Sequence, residues 1–400
     1  MSTVVVILPT TTYRAKDFVS AAESLGMDLI VASERPPPFD MGDRYLHIDC
    51  NNPTAAAKAI ATRAELVDID GVVAADDQGV LVAAETSAAL GLPGNPPDAA
   101  DATRNKATMR ARLSRAEIDQ PRFSALAPGT DLGKAGAEVG FPLVIKPVDR
   151  SASQGVIRVN NPTDLYDAEK RLRKIVGTGA TLIAEEYMTG DEIAIEGMLS
   201  DGELTTLAIF DKPDTSEGPY FPETLFVTPS RFDERVLTEA ERVASAGVRA
   251  MGLAWGPVHI EMKVDKGRVR IIEIAARSIG GLCSRSLNFG LMGTSLESLI
   301  LANALGTPKT NLRREPASSG VLMIPTPETG ILRAVEGVDE VRSIKGVTGI
   351  DLTMVPGDKV VAPPDGDRYL GFVYARSDQP QQVESVLRKA MSKLKVQLEG

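Results

Sequence analysis

Apolar and polar positions alternate between two periods along the first hundred residues. Short apolar runs predict buried strands, and apolar residues at helical spacing predict helices between them. The expected order is strand Val4–Leu8, helix Arg14–Leu25, strand Leu29–Ala32, helix Ala55–Val67, strand Gly71–Ala75 and helix Val80–Leu90. Strands that alternate with helices indicate a Rossmann-like parallel sheet with helices on both faces.

The pattern becomes richer in strands after about residue 99. The expected elements are a basic helix Ala99–Ala116, strands Phe141–Pro147, Val156–Val159, Thr181–Glu185 and Ile193–Leu199, helices Tyr166–Val176 and Glu234–Met251, a hairpin Val258–Arg277, a strand Gly371–Ala375 and a helix Gln382–Leu394. The fold class is therefore a multi-domain protein, α/β at its N-terminus and α+β beyond it.

The turn after the first strand argues against a dinucleotide site. It reads Pro9-Thr-Thr-Thr-Tyr13 and lacks the glycines that let backbone approach a pyrophosphate. The segment Gly129–Ala135 comes nearest to a P-loop, but it is one residue short and has no Ser or Thr after Lys134. His47 and His259 are the two histidines, which excludes a His-rich zinc site.

Composition excludes several classes of protein and of binding partner. The 400 residues carry a formal net charge of −10, so neither nucleic acid nor a membrane surface is the expected partner. Two cysteines and no CxxC exclude a disulfide framework. No apolar run approaches the roughly 20 residues of a membrane span, and the first residues lack the basic segment of a signal peptide. We therefore expect a cytoplasmic protein.

A lysine followed by small hydroxyl residues is the first candidate for phosphate chemistry. Lys146 ends an apolar strand, and Ser151, Ser153 and Gly155 follow within ten residues. Free N–H and O–H groups in such a loop suit phosphate oxygens, with the lysine supplying positive charge. The same residues also suit an ordinary turn with a surface lysine.

A second candidate is the acidic end of the next two strands. Glu185 and Glu186 end one strand, Gly190 makes a turn, and Glu192 begins the next strand. These carboxylates could accept hydrogen bonds from an adenine amine and ribose hydroxyls. A solvated hairpin end explains them equally well, because charged residues are mostly exposed.

The hairpin Val258–Arg277 has the sharpest pattern. His259 and Glu261 share one face by the period of two. A three-residue loop at Asp265–Gly267 would place Glu261 opposite Ile271 and make Glu261 and Glu273 diagonal neighbours. We expect Mg²⁺ with nucleotide phosphates between the two carboxylates.

Arg277 continues the same face of the hairpin and would clamp a transferred phosphoryl group. The alternative is an amphipathic hairpin whose charges are solvated. Glu273 stands between Ile272 and Ile274, and an unpaired carboxylate would be costly if buried there. That position favours the metal site.

The ordered set of these motifs resembles ATP-grasp enzymes and, within them, the L-amino acid ligases, over nearly the whole chain. The matching segments are Ala89–Asn95, Arg104–Lys106, Val144–Pro147 with its Ser/Gly loop, Glu185–Glu192, Glu273–Arg277, Gly280–Gly281 and Tyr369–Arg376. The resemblance implies an ATP-grasp fold with an N-terminal Rossmann-like α/β domain (1–98), an ATP-grasp domain (99–310, lid about 120–190) and a small α+β C-terminal domain (311–400).

The resemblance also implies roles for individual residues. Lys106 and Lys146 would contact ATP phosphates beneath the loop of Ser151, Ser153 and Gly155. Glu185 and Met188 would form the adenine hinge, and Glu192 would bind the ribose. Glu261 and Glu273 would bind the metal, and Arg277 would stabilise the acyl phosphate. The amino-acid pocket would be bordered by His259, Ser278, Gly280 and Gly281. Ala275 stands where many ATP-grasp enzymes have a third metal ligand, Asn, so one or two Mg²⁺ ions are expected; Mn²⁺ could replace them.

The implied reaction joins a carboxylate, expected to be an amino acid, to an amine, forming an amide, ADP and phosphate. A Pro/Gly-rich insertion, Asp211–Ser230, places Lys212 and Glu223 at the substrate pocket or in a plain surface loop. Alternatives are an ATP-grasp carboxylase, a purine-pathway ligase or a non-catalytic ATP-binding protein. The partners are small molecules, and a homodimer follows from base rates. The sequence does not specify the acyl donor or the amine.

Overall fold

The first strands form a parallel four-stranded sheet, as the alternation of periods predicted. The computed structural model describes residues 1–10, 12–36, 41–214, 217–291, 293–306 and 313–399. The first elements are β1 (Thr3–Ile7), α1 (Ala15–Leu25), β2 (Asp28–Ser33), β3 (Tyr45–His47), α2 (Pro53–Ala64), β4 (Gly71–Ala74) and α3 (Val80–Leu90). The sheet order is β3-β2-β1-β4. Strands β1, β2 and β4 are almost wholly buried because helices cover the sheet, whereas the edge strand β3 is partly exposed.

Two short helices stand where one basic helix was predicted. They are α4 (Pro97–Thr103) and α5 (Lys106–Arg115). The break is caused by Asn105, whose side chain accepts hydrogen bonds from the N–H groups of Ala107 and Thr108 and so caps the second helix. The prediction of one continuous helix is wrong at this point, and the cap places Lys106 at a helix start.

A small antiparallel sheet follows. Its elements are β5 (Phe123–Leu126), α6 (Leu132–Val139), β6 (Leu143–Pro147), β7 (Ile157–Val159), α7 (Pro162–Val176) and β8 (Leu182–Glu186). The strand order is β5-β8-β6-β7, with α6 and α7 packed on one apolar core. The loop between β6 and β7 carries the predicted phosphate-binding residues, so the sheet holds both ends of that loop.

A large antiparallel sheet forms the centre of the molecule. The remaining elements are β9 (Asp191–Ser200), β10 (Glu203–Lys212), β11 (Leu225–Thr228), α8 (Glu234–Met251), β12 (Gly256–Asp265), β13 (Arg268–Ala275), α9 (Leu296–Ala304), β14 (Ser318–Ile324), β15 (Gly330–Glu336), α10 (Val338–Arg342), β16 (Val347–Leu352), β17 (Lys359–Val360), β18 (Gly371–Ser377), α11 (Pro380–Lys393) and β19 (Lys395–Glu399). Eight strands pair in the order β13-β12-β9-β10-β11-β14-β18-β16, and β17-β15-β19 form a separate sheet.

The structure bears on two further predictions, the insertion Asp211–Ser230 and the domain boundary at residue 310. The segment Asp211–Ser230 contains the end of β10 and all of β11, so it is not simply a loop; its residues 215 and 216 lie outside the described residues, as do Thr11 of the first turn and Pro37 and Pro38 of the proline run. The expected domain boundary at 310 also falls in an undescribed stretch, 307–312. No helix in the described part of the chain is long and apolar enough to cross a membrane.

One apolar core joins the N-terminal sheet to the central sheet. It extends from Phe18 on α1 to Phe210 and Phe226, whose rings meet edge to face at 5.9 Å, and to Phe372 on β18. Burying a side chain of this size contributes about 1.5–3 kcal/mol. This shared core holds the carboxyl ends of β1 and β4 against the central sheet, where the candidate site lies.

Candidate active site

One large cavity gathers most of the predicted site residues. Its volume is about 370 Å³, and it lies between the parallel sheet, the small sheet and the central sheet. The predicted residues that line it are Lys106, Lys146, Ser151, Ser153, Glu185, Met188, Glu192, Lys212, Glu223, His259, Glu261, Glu273, Arg277, Gly280 and Gly281. Residues that are far apart in the sequence therefore face one cavity.

The two predicted metal-binding carboxylates lie directly opposite each other. Lys266 and Gly267 form a two-residue turn, both with positive φ (52° and 80°), and the register shifts between Glu261 and Met262. Glu261 consequently pairs with Glu273, whereas the predicted three-residue loop and diagonal arrangement are wrong. The bulge brings the carboxylates closer than the sequence pattern indicated.

Lys212 links three carboxylates at one side of the cavity. Its Nζ lies 2.8 Å from Glu223 Oε1 and 3.4 Å from Glu261 Oε1, and it also contacts Glu192. Burial opposes the charged form, yet the three carboxylates raise the pKa of Lys212 well above its usual value. Lys212 is therefore a fixed cation beside the candidate metal ligands.

His259 lies on the other side of Glu261. Its Nδ1 is 2.5 Å from Glu196 Oε1, and its Nε2 is 3.4 Å from Glu261 Oε1. Burial alone would lower the pKa of His259, but Glu196 and Glu261 raise it to about 9. Burial also disfavours the charged form of Glu261, but Lys212 and His259 hold the pKa of that carboxyl well below its usual value.

The pKa of Glu223 shifts in the opposite direction to that of Glu261. Burial comes first among the causes that raise the pKa of Glu223, and Glu261 adds to it. Of these two carboxylates, Glu261 is the one whose charged form the surroundings favour. An ionised carboxylate is the form that a divalent cation binds.

The oxygen ligands fit Mg²⁺ carried by a nucleotide. Among the described residues no group of three or more His, Cys, Asp or Glu side chains is arranged to hold a metal ion by itself. Mg²⁺ needs fewer protein ligands than that, because it retains water and phosphate oxygens and takes one or two carboxylates. Glu261 and Glu273 would supply these, and Lys106 Nζ lies 3.3 Å from Glu273 Oε1.

Lys146 is held by a buried ion pair. Its Nζ lies 2.7 Å from Glu185 Oε2, while Arg110 Nε lies 2.7 Å from Glu185 Oε1. Burial lowers the pKa of Lys146, and it opposes ionisation of Glu185, but Arg110 and Lys146 lower the pKa of Glu185 to about 2. Glu185 thus orients Lys146, which differs from the adenine contact that the resemblance implied; that contact stays a prediction.

Arg110 was missed as a functional residue. It is fully buried, and it lies four residues after Lys106 on the same face of α5. Its Nη2 donates to the carbonyl of Ile272, next to Glu273 on β13. The sequence did offer a signal, because the four-residue spacing from Lys106 to Arg110 puts both side chains on one face of the helix.

The Ser/Gly loop has strained backbone beside the cavity. Ala152 and Ser153 have φ of 52° and 57°, an uncommon conformation for residues with a side chain. Gly155 has φ 73°, and an added Cβ would lie 2.9 Å from Pro147 Cδ. Gly155 does not line the cavity; its N–H donates to the carbonyl of Pro364, so it fixes the loop from behind.

Arg277 is held from the N-terminal sheet. Its Nε lies 3.0 Å from Asp77 Oδ2, and Asp77 follows the carboxyl end of β4. Burial disfavours the charged form of both side chains. The neighbouring Asp77 carboxylate nevertheless raises the pKa of Arg277, and the Arg277 guanidinium lowers the pKa of Asp77. Sequence reasoning missed Asp77, since no local motif connects it with a residue 200 positions away.

Ser278 lies behind the cavity rather than on its wall. It is buried, and its hydroxyl accepts a hydrogen bond of 2.6 Å from Arg14 Nη1. Arg14 also pairs with Glu297 at 2.6 Å, again buried. The expectation that Ser278 borders the amino-acid pocket is not what the packing supports: the residue anchors the loop that presents Arg277 and Gly280.

Three family models match successive parts of the chain. The ATP-grasp N-terminal domain matches residues 19–94, the ATP-grasp domain 139–286, and the L-amino acid ligase C-terminal domain 2 residues 322–399. The chain therefore carries the N-terminal and central domains of ATP-grasp proteins. Its C-terminal domain is the one found in L-amino acid ligases, which confirms the resemblance drawn from the motifs.

Several known proteins that are similar to this chain are ligases. Alanine–anticapsin ligase of Bacillus subtilis is 29% identical over 59% of the chain, and the match spans 54% of that ligase. The L-arginine-specific L-amino acid ligase of Bacillus subtilis is 20% identical over 91% of the chain and 89% of its own length. The L-amino acid ligase of Bacillus licheniformis shares the fold, with a TM-score of 0.83 at 24% identity over 100% and 99% of the two chains.

Proposed function

We propose that the chain is an ATP-dependent carboxylate–amine ligase that activates an amino acid and joins it to an amine. The observation that carries the proposal is the pairing of Glu261 with Glu273 in the cavity that also holds Lys146 and Arg277. Two opposed carboxylates, a buried lysine and a partly buried arginine suit a triphosphate with its metal and a carboxylate to be phosphorylated.

In the first step the donor carboxylate attacks the γ-phosphorus of ATP. A P–O bond forms to the carboxylate, the P–O bond to ADP breaks, and an acyl phosphate results. Lys106 and Lys146 would hold phosphate oxygens, and the Ser151–Ser153 loop would cover them. Mg²⁺, when bound, would neutralise charge on the phosphates.

In the second step the amine nitrogen attacks the acyl carbon. The C–N bond forms, the C–O bond to phosphate breaks, and the electron pair leaves with phosphate. The ammonium form of the amine supplies one proton to the amide, one to hydrogenphosphate and one to solvent. Arg277, which Asp77 holds at the cavity, would neutralise the oxygens on which charge develops.

A phosphate-release screen tests this proposal. Wild-type protein is incubated with Mg²⁺, ATP and pairs of amino acids, with bicarbonate and formate as separate donors, and the amide product is measured by mass spectrometry. Phosphate and amide in equal amounts support the ligase. Phosphate release with bicarbonate or formate in place of an amino acid would instead support the carboxylase or purine-pathway alternative.

A variant separates catalysis from nucleotide binding. Arg277→Ala should bind ATP as the wild type does but form no amide. Normal product formation by this variant would show that the role given to Arg277 is wrong. ATP binding without phosphate release from any pair of substrates would favour the non-catalytic alternative.

A further inference from the structure

Two chain segments fasten the small sheet β5-β8-β6-β7 from outside the cavity. The first, residues 217–220, belongs to the insertion Asp211–Ser230, and the second, residues 364–365, precedes β18. We name them the insertion strap and the C-terminal strap. Each strap is followed within three residues by part of the cavity wall, Glu223 after the first and Asp367 after the second. The straps therefore connect the small sheet with walls of the cavity that other parts of the chain supply.

The insertion strap extends the small sheet at one edge. β7 is an edge strand, and Ile157 forms an antiparallel bridge with Tyr220. The N–H of Arg158 donates to the carbonyl of Pro219 at 2.8 Å, and Arg158 Nη1 donates to the carbonyl of Glu217 at 2.6 Å. An edge strand leaves backbone groups for a further segment to pair with, so these bonds seat the strap on the sheet.

The C-terminal strap holds the Ser/Gly loop from behind. The N–H of Gly155 donates to the carbonyl of Pro364 at 2.7 Å, and Gln154 Nε2 donates to the carbonyl of Asp365 at 2.9 Å. The serines of the same loop line the cavity. The position of the predicted phosphate-binding loop therefore depends on a segment of the C-terminal domain more than 200 residues further along the chain.

Arg171 on α7 joins the two straps. Its Nη1 donates to the hydroxyl of Tyr220 at 3.0 Å, and its guanidinium lies 5.2 Å from the centre of the Tyr220 ring. Its Nε lies 3.4 Å from Asp365 Oδ1 on the C-terminal strap. α7 packs on the core of the small sheet, which carries Lys146 and the Ser/Gly loop. One side chain thus contacts both straps from the part of the molecule that would hold the phosphates.

The contacts of Arg171 are weak enough to open and close. The side chains of Arg171 and Asp365 are 44% and 45% exposed. Exposed ion pairs and exposed cation–π contacts each contribute little to stability. Their loss should therefore leave the fold intact and change only how firmly the small sheet is seated on the two straps.

We propose that Arg171 is a positioning residue that couples the substrate-facing walls of the cavity to the Ser/Gly loop. A donor amino acid that contacts the wall after a strap stabilises that strap, and Arg171 transmits the restraint to the small sheet, so the loop stays closed over the phosphates. This inference rests on the proposed ligase function and adds a regulation of its site.

Closure decides the fate of the acyl phosphate. When water reaches it, the water oxygen bonds to the acyl carbon and the C–O bond to phosphate breaks. One proton of the water goes to hydrogenphosphate and the other to solvent, so phosphate is released and the carboxylate is regenerated without an amide. A seated loop excludes that water.

The first test compares phosphate release with amide formation for a productive substrate pair. The wild type should release one phosphate for each amide, whereas Arg171→Gln should release about 3- to 10-fold more phosphate than amide. Tyr220→Phe, which keeps the ring but removes the hydroxyl, should shift the ratio in the same direction by less. The matched control is Lys174→Gln, which removes an exposed cation from the same helix and should behave as the wild type does. An unchanged ratio in Arg171→Gln would overturn the coupling.

The second test measures the coupling without turnover. Calorimetric titration gives the Kd of a non-hydrolysable ATP analogue with Mg²⁺, in the presence and absence of the donor amino acid. The donor should tighten nucleotide binding by about fivefold or more in the wild type and by less than about twofold in Arg171→Gln. Equal tightening in the two proteins would contradict the role of Arg171. The melting temperature should differ by about 2 °C or less, which separates the effect from a loss of stability.

The outcomes distinguish this inference from the proposed function. If a substrate pair turns over and Arg171→Gln keeps the wild-type ratio of phosphate to amide, the coupling is wrong and the ligase stands. If no pair turns over, the ligase proposal fails, and hydrogen exchange of loop residues 151–156 with the ATP analogue bound decides on the straps. Faster exchange in Arg171→Gln than in Lys174→Gln supports them, because the Gly155 N–H is bonded to the C-terminal strap. Equal exchange in the two variants overturns them.

Discussion

Asp77 and Arg277 connect the N-terminal sheet to the far wall of the cavity through a contact of 3.0 Å between carboxylate and guanidinium. The two residues are 200 positions apart, and the shared apolar core around Phe18 and Phe210 keeps their supports together. Asp77 is a positioning residue in this arrangement, because it touches the arginine rather than the expected reacting atoms.

We predict that Asp77→Asn lowers kcat by about a hundredfold, because Arg277 loses the charge that fixes its orientation and small displacements are costly. The Kd for ATP should stay unchanged. Steady-state kinetics and calorimetric titration of the nucleotide measure the two quantities. A raised KM at unchanged kcat would instead place Asp77 in substrate binding.

Glu273→Gln should reduce kcat by about 100- to 1,000-fold while the fold stays intact, since the amide cannot supply the negative charge opposite Glu261. Phosphate release is measured together with the circular-dichroism melting curve. Glu328→Gln, an exposed glutamate outside the cavity, is the matched control. Unchanged turnover in Glu273→Gln would remove the basis of the metal assignment.

The pattern of the chain predicted much of this site because its residues sit on regular elements. The period of two put His259, Glu261 and Glu273 on one face of the hairpin, and the apolar strand that ends at Lys146 predicted that this lysine and the loop of Ser151 and Ser153 would share one site, the cavity that all three line. The register could not be predicted exactly, because the bulge between Glu261 and Met262 leaves no local signature.

The remaining site residues depend on tertiary packing. Asp76 and Asp77 reach the cavity only when β4 docks beside the central sheet, and the Ser278 hydroxyl binds Arg14 instead of lining the cavity. Such contacts join segments more than 190 residues apart. Neither composition nor periodicity carries information on contacts of that range.

Glu185→Ala should lower the free energy of unfolding by about 3–5 kcal/mol, because it leaves Arg110 and Lys146 buried without their shared anion. The loss is read from urea unfolding of the wild type and the variant. Glu203→Ala, at an exposed strand start, is the control. A loss below about 1 kcal/mol would mean that water or another group replaces the carboxylate.

The same carboxyl group should produce an acid-dependent part of the stability. The pKa of Glu185 is about 2 in the folded protein, held there against burial by Arg110 and Lys146, and 4.5 is its ordinary value. Because the pKa of Glu185 is lower in the folded protein, its carboxylate stabilises the fold above pH 4.5. This stabilisation is lost as the pH falls toward 2. Wild-type stability should therefore fall more steeply than that of Glu185→Gln between pH 4.5 and pH 2, measured by urea unfolding; parallel curves would contradict the assignment.

Gly281→Ala tests how closely the loop after β13 packs on the C-terminal strands. An added Cβ would lie 2.6 Å from Phe372 Cζ, and the residue has φ +59°, a conformation that side chains disfavour. Phe372 is fully buried and cannot move away cheaply, so we expect a loss of about 1–3 kcal/mol in the free energy of unfolding. The neighbouring Gly280 has open space at its Cβ position, and Gly280→Ala should cost about 0.5 kcal/mol or less. Urea unfolding of the two variants side by side gives the comparison; equal stability would show that the loop shifts freely away from Phe372.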